Sequence, residues 1–102
     1  KKWIIGSLNS NGTIKIDDGA AKALLNGKSL LAAGVNKING SFEKGENVLI
    51  LDQNNNQLAR GVSSFSSEEI DNIKGKQSKD IDKILGYLSK TEIIHKDDMV
   101  LL

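Results

Sequence analysis

The sequence predicts a mainly β domain with short helices, of the α+β class, closed in part into a barrel of mixed strands. Three observations lead there. Six or seven short segments are β-branched or alternate apolar with polar residues, and clusters of Gly, Asn and Asp separate them. The helical patterns between them run to about two turns each, too short to stand without packing. There is no repeat of 20–50 residues and no rhythm of long crossover helices, which argues against a doubly wound sheet.

Taken in order, Trp3–Ser7 reads as a short strand, and Asn9-Ser10-Asn11-Gly12 as a turn. Thr13–Asp17 alternates and is β-branched, so it is a strand with one buried face. The period then changes. Asp18 is placed to cap a helix through Ala20, Ala21, Ala23, Leu24 and Leu25, with Leu24 and Leu25 as anchors and Asn26-Gly27 as its end. Ser29–Ala33 and Val35–Asn39 are β-like and divided by Gly34, with Phe42 in the connection that follows. Lys44-Gly45-Glu46-Asn47 is a turn, Val48–Leu51 the most apolar and central strand, and Asp52–Gln57 a polar hairpin loop.

Leu58–Phe65 is the return strand, with Gly61 marking a bulge or a close approach. Ser66 and Glu69 have the spacing of a capping box, opening a helix that shows Ile70 and Ile73 on one face and ends near Gly75. Ser78 opens another, with Ile81, Ile84 and Leu85 inward and Gly86 as terminator. Glu92–Ile94, a turn at Asp97-Asp98, and Met99–Leu102 complete the strands. The predicted core is Ile5, Ile14, Ile16, Leu24, Leu25 and Leu31, then Val35, Ile38, Phe42, Val48, Ile50 and Ala59. Val62, Ile70, Ile84, Leu85, Val100 and Leu101 complete it, and the aromatic residues Trp3, Phe65 and Tyr87 are also assigned to the interior.

Composition narrows the function classes. The 102 residues fit one domain, with a core at about 12–65 and an extension over 66–102. No cysteine is present, so disulfides and thiolate metal sites are excluded, in keeping with a cytoplasmic setting. The longest apolar run, Leu30–Ala33, is far too short to cross a bilayer, and Trp3-Ile4-Ile5 is too short for a signal sequence, so no membrane partner is expected. The chain opens on Lys1, and the expectation is a domain excised from a longer polypeptide. The net charge is +1, but residues 1–51 hold seven Lys against four Asp and Glu, and residues 52–102 hold seven Lys and Arg against nine. A phosphate-bearing partner would meet the first half.

No catalytic constellation emerges. Gly27-Lys28-Ser29 matches the end of a phosphate-binding loop, but the required earlier glycine is replaced by Lys22, and the order is helix then strand instead of strand then helix. His95 is the sole histidine and has no nucleophile motif beside it. Asp17-Asp18 and Asp97-Asp98 are adjacent acids, which in a strand point to opposite faces, and read as turn and capping residues.

Several segments, in order, resemble a known family. They are Gly12-Thr13-Ile14-Lys15-Ile16-Asp17-Asp18-Gly19-Ala20, then Gly27-Lys28-Ser29-Leu30-Leu31-Ala32-Ala33-Gly34-Val35. Gly40-Ser41-Phe42-Glu43-Lys44-Gly45-Glu46 and Ala59-Arg60-Gly61 follow. Together they resemble the PUA domain. The flanking Lys2-Trp3-Ile4-Ile5-Gly6, Ser66-Ser67-Glu68-Glu69, Leu85-Gly86-Tyr87 and the segment Ile94–Leu102 are similar to the branch at the C-terminus of bacterial glutamate 5-kinases. The resemblance implies a PUA-like mixed-strand pseudobarrel that follows an upstream amino-acid-kinase domain. It implies that ATP and magnesium act in that upstream part, in the first step of proline biosynthesis, and that this domain holds no cofactor and no metal.

It also implies two candidate roles. One is a regulatory or assembly module, with the kinase domain or a homo-oligomer as partner. The other is an RNA-binding module, whose surface in related RNA-modifying proteins is the short first helix and its neighbours. Carried onto this chain, that surface is Asp18, Gly19, Ala20, Lys22, Gly34 and Val35, with Lys15 and Lys28 at its flanks. No aromatic residues interleave with these, so stacking platforms for unpaired bases are absent there.

Overall fold

A computed structural model of the chain describes residues 12–87 and 90–102. The strand expected at Trp3–Ser7, the turn residues Asn9-Ser10-Asn11 and the core positions Trp3 and Ile5 lie outside the described residues. Strand β1 (Gly12–Ile16) alternates as its sequence demands, with Ile14 and Ile16 buried and Thr13 and Lys15 on the opposite face. Helix α1 (Asp18–Leu25) follows directly. Strand β2 (Leu30–Leu31) runs through a single turn of tight helix, Ala32–Gly34, into β3 (Val35–Gly40). Then come β4 (Asn47–Leu51), β5 (Gln57–Val62), α2 (Ser67–Ile73), α3 (Ser78–Leu85), β6 (Glu92–Ile94), a second tight turn Lys96–Asp98, and β7 (Met99–Leu101).

Five of these strands form one mixed sheet in the order β3-β1-β4-β5-β7, with β4 in the middle. β1 pairs in parallel with β4, and the other neighbours are antiparallel. β2 and β6 form a separate antiparallel ribbon. Each ribbon strand leads through a tight turn into an edge strand of the main sheet, β2 into β3 and β6 into β7, so the two sheets bend towards closure. The core fills the space between, where Ile14, Ile16, Val48 and Ile50 from the sheet meet Leu24 of α1, Ile70 and Ile73 of α2, and Leu30 and Ile94 of the ribbon. Gly61 lets β5 approach this closure, since a Cβ there would stand 2.8 Å from the Asp98 carbonyl oxygen and from the Ile94 side chain.

Several expectations are corrected. Asp17, not Asp18, caps α1: its backbone is extended (φ −80°, ψ 174°), and its Oδ1 accepts the Ala20 N–H at 2.7 Å. Leu25 is 61% exposed because it stands one residue, about 100° of helix, beyond the buried Leu24. Leu31, Val62 and Val100 are exposed for the strand version of the same reason, each following a residue whose side is the inner one. Leu101 faces inward but sits on the edge strand β7, and remains 44% exposed. Ile84 is exposed because α3 meets the core through Ile81 and the partly buried Leu85, and Tyr87 is also exposed. Phe65, Ile73 and Ile81 are buried as the sequence reading has them, and the interior also takes Leu30, Ala32, Leu49, Ile93 and Ile94.

The capping box at Ser66 and the helix stop at Asn26-Gly27 are present as read from the sequence. Ser66 Oγ accepts the Glu69 N–H and Glu69 Oε1 accepts the Ser66 N–H, closing the capping box. Gly27 holds φ +80° after α1, where a side chain would be strained, and its N–H donates to the Leu24 carbonyl. Among the described residues no helix is long and apolar enough to cross a membrane.

Candidate functional site

The surface at the end of β1 is built by three short-range contacts. The Asp17 N–H donates to the Gly34 carbonyl at 3.0 Å, the Asp17 carbonyl accepts the Ala21 N–H, and the Asp17 carboxylate caps α1. These fasten the start of α1 to the tight turn before β3. Gly34 makes the fit possible, because a Cβ there would lie 2.5 Å from the Ala20 Cβ. Between helix and turn lies an open depression of about 370 Å³. Its floor is apolar, with Ala20, Ala23, Leu31, Ala33 and Gly34 in its lining. Asp17 and Gly19 border it at the N-terminal end of α1, and Lys28 and Ser29 border it beyond the C-terminal end. Ser29 is held in place, its Oγ accepting the Lys96 N–H at 2.8 Å.

The eight residues singled out from the sequence are only partly brought together. Gly19, Ala20, Gly34 and Lys28 border the depression. Asp18 and Lys22 are exposed, one helical turn apart, and neither lines it. Val35 is buried and pairs with Ile16 in the core. Lys15 stands on the outer face of the main sheet, directly across from Lys37 in the β1–β3 ladder. Two like charges in that register repel one another. Lys15 also acts on Asp52, whose carboxyl is held below its usual range chiefly by hydrogen bonds from Asn56 and to a lesser extent by Lys15. Lys15, Lys22 and Lys28 therefore do not converge on one cationic face.

The sequence reading missed Asp17, Ala23, Ser29, Leu31 and Ala33 as lining residues. Ala23 was legible, standing one turn from Ala20. Leu31 and Ala33 were not, because the tight turn after a two-residue strand breaks the alternation that would have placed them.

A second depression, of about 410 Å³, lies between Phe42 and the start of α2 and is bordered by Glu43, Glu68 and Asp71. It is acidic, but among the described residues no cluster of three or more His, Asp or Glu side chains is arranged to hold a metal ion. His95 sits just after β6, with its Nδ1 accepting the Asp97 N–H at 3.0 Å, as a local cap of the second tight turn. Gly27-Lys28-Ser29 has a helix before it and a strand after it, the reverse of a phosphate-binding loop.

Comparison with known proteins follows the same outline. The family model described as "PUA domain" matches residues 12–85. The chain is 60% identical to the glutamate 5-kinase of Pelagibacter ubique over 98% of its own length, and 48% identical to that of Bartonella henselae over 99%. It spans 27% of the length of each of these relatives, about a quarter. Among solved structures it is similar to a PUA domain from Aeropyrum pernix, with a TM-score of 0.62 and 24% identity over 83% of this chain and 41% of that one. It is also similar to a chain of the archaeal box H/ACA sRNP Nop10–Cbf5 complex, with a TM-score of 0.60 and 24% identity over 85% of this chain and 25% of that one. At that identity these two likenesses show the fold.

Proposed function

The chain belongs to the PUA domain family, and on that premise we propose that it is an accessory module of a glutamate 5-kinase polypeptide, with a regulatory or assembly role. The observation that carries this reading is the 60% identity across nearly the whole chain to about a quarter of a glutamate 5-kinase. In this reading the remaining three quarters of the polypeptide phosphorylates the γ-carboxylate of glutamate with ATP and magnesium, at the first step of proline synthesis. The domain described here contributes surfaces.

Two features support assembly. The three lysines expected to mark a nucleic-acid surface are dispersed, with Lys15 on the outer sheet face and the exposed Lys22 outside the lining of the depression. The outer face of β5 and β7 is instead apolar around Arg60, with Val62 two residues on, Val100 opposite, and Leu102 at the end, all exposed. Exposed apolar borders of this kind mark contacts between proteins. The test is removal of residues 1–102 from the full-length kinase. Turnover is expected to persist while proline inhibition or oligomeric state changes, and loss of the chemical step in a still-folded remainder would overturn the reading.

A second reading is an RNA-binding module working through the first helix. Its support is the open backbone at Gly19, where an added Cβ would meet only the Asp17 Oδ1 at 3.5 Å, on a depression whose far end carries the exposed Lys28. A structure of similar fold is an H/ACA RNP bound to a substrate RNA. Titration with structured RNA at low and moderate salt tests it, because phosphate contacts weaken steeply with salt.

A further inference from the structure

We propose that the outer face of the main sheet at β1 and β3 binds a chain of phosphate groups, with Lys15 and Lys37 at its centre. This surface goes beyond both readings above, since none of its residues lines the depression beside α1 and it lies at the opposite side of the sheet from β7. The charge pattern of the sheet carries the inference. β1, β3, β4, β5 and β7 contain no Asp or Glu, and their charged residues are Lys15, Lys37 and Arg60. Cross-strand partners share a face. The ladders therefore put all three cations on the outer side, with Lys15 opposite Lys37, and Arg60 in one row with Leu49, Thr13 and Asn39.

The β1–β3 half of that face is a block of donors. Thr13 stands opposite Asn39, and Lys15 opposite Lys37 two residues along. Together they offer a hydroxyl, an amide and two ammonium groups. Lys37 and Asn39 are exposed on the edge strand β3. Among the described residues none of these four side chains is engaged in a hydrogen bond or an ion pair. Asp52, just beyond β4, feels the charge of Lys15, but its carboxylate is occupied within its own loop. Oδ1 accepts the Asn54 and Asn56 N–H groups, and Oδ2 accepts the Asn56 side-chain amide.

Like charges in direct register destabilise a ladder, and no carboxylate of the sheet offsets this pair. A residue choice that breaks a local rule is expected where function requires it. An anion that accepts from both ammonium groups relieves the repulsion. Phosphate suits the block better than a protein carboxylate, because each group has more oxygens to accept at once. The open edge of β3 also lets successive groups run along the strand. The five strands hold no aromatic residue, so the contact is with phosphate charge and not with stacked bases.

The experiment compares the full-length polypeptide with its Lys37→Ala variant, using a short fluorescent RNA duplex as the probe across a range of salt. Lys37→Ala is expected to flatten the slope of log K against log salt by about 0.9, or about an eightfold loss at ~0.1 M relative to 1 M. Its melting temperature is expected to be unchanged or higher, because the like-charge pair is gone, so the loss is not one of folding. Lys28→Ala is expected to leave the slope as it was. Inorganic tripolyphosphate is then added as competitor. Displacement that depends on Lys37 supports a site open to free phosphate chains, and Lys37-dependent duplex binding that resists tripolyphosphate supports a nucleic-acid backbone as the source. An unchanged slope in Lys37→Ala overturns the proposal, as does polyglutamate competing as well as tripolyphosphate, which would point to an acidic protein. If Lys28→Ala changes the slope and Lys37→Ala does not, the first-helix reading stands and this surface is wrong. If neither changes it, both fall.

Discussion

Gly34 and Ala20 stand so close that a Cβ added to Gly34 would lie 2.5 Å from the Ala20 Cβ. The tight turn before β3 and the first turn of α1 thus meet at the limit of van der Waals packing, and the depression beside them keeps its shape for that reason. Gly34→Ala is expected to force the two segments apart at a cost of about 1–3 kcal/mol. Gly19→Ala, with only ordinary contact around the new methyl group, is expected to be neutral or to stabilise by about 0.5–1 kcal/mol. Thermal melts of the two variants decide this, and equal effects would contradict the packing described.

The capping of α1 gives a second prediction. Asp17→Ala removes the acceptor for the Ala20 N–H and is expected to cost about 1 kcal/mol. Asp18→Ala removes only a charge near the helix start and is expected to cost about 0.3–1 kcal/mol, less as salt rises. A larger loss at Asp18 than at Asp17 in urea unfolding would reverse the assignment.

Glu69 links the capping box to α3, since the Tyr87 hydroxyl donates to its Oε2 while Oε1 accepts the Ser66 N–H. Burial pushes the Glu69 carboxyl up, but the bonds from Tyr87 and Ser66 outweigh it and hold the group below its ordinary value. A carboxyl depressed in the folded state binds fewer protons there than in the unfolded chain, so stability rises with pH across its titration. The contribution is present above about pH 4.3 and is lost as pH falls through the lower folded value. Tyr87→Phe is expected to reduce the difference in stability between pH 7 and pH 3, and an unchanged difference would show that the contact does not operate in solution.

Core placement is checked by contrast. Ile50 is fully buried on the central strand, and Ile50→Ala is expected to cost about 2–5 kcal/mol. Leu25→Ala on the exposed side of α1 is expected to stay within about 0.5 kcal/mol. Similar losses at both would mean that α1 is rotated from the position described.

Much of this architecture was legible in the amino-acid order because it rests on local chemistry. Thr13–Asp17 alternates, Ser66 and Glu69 have the capping interval, and Asn26-Gly27 stops a helix, each within a few residues. What was not legible depends on neighbours distant in sequence. Whether Leu24 or Leu25 turns inward is set by where α1 docks, and Leu101 stays exposed because β7 lies at the sheet edge. The candidate site shows the same division. Gly19, Ala20 and Gly34 were found from the sequence, whereas Lys15 was assigned to the same surface although β1 carries it on the outer sheet face beside Lys37.

The most direct test of an accessory assembly role is sedimentation of the full-length polypeptide, proposed above to be a glutamate 5-kinase, beside a version lacking this domain, with turnover and proline inhibition measured on the same samples. The account predicts persistent turnover with a changed oligomeric distribution or a shifted proline response. An unchanged distribution together with an unchanged proline response would contradict it.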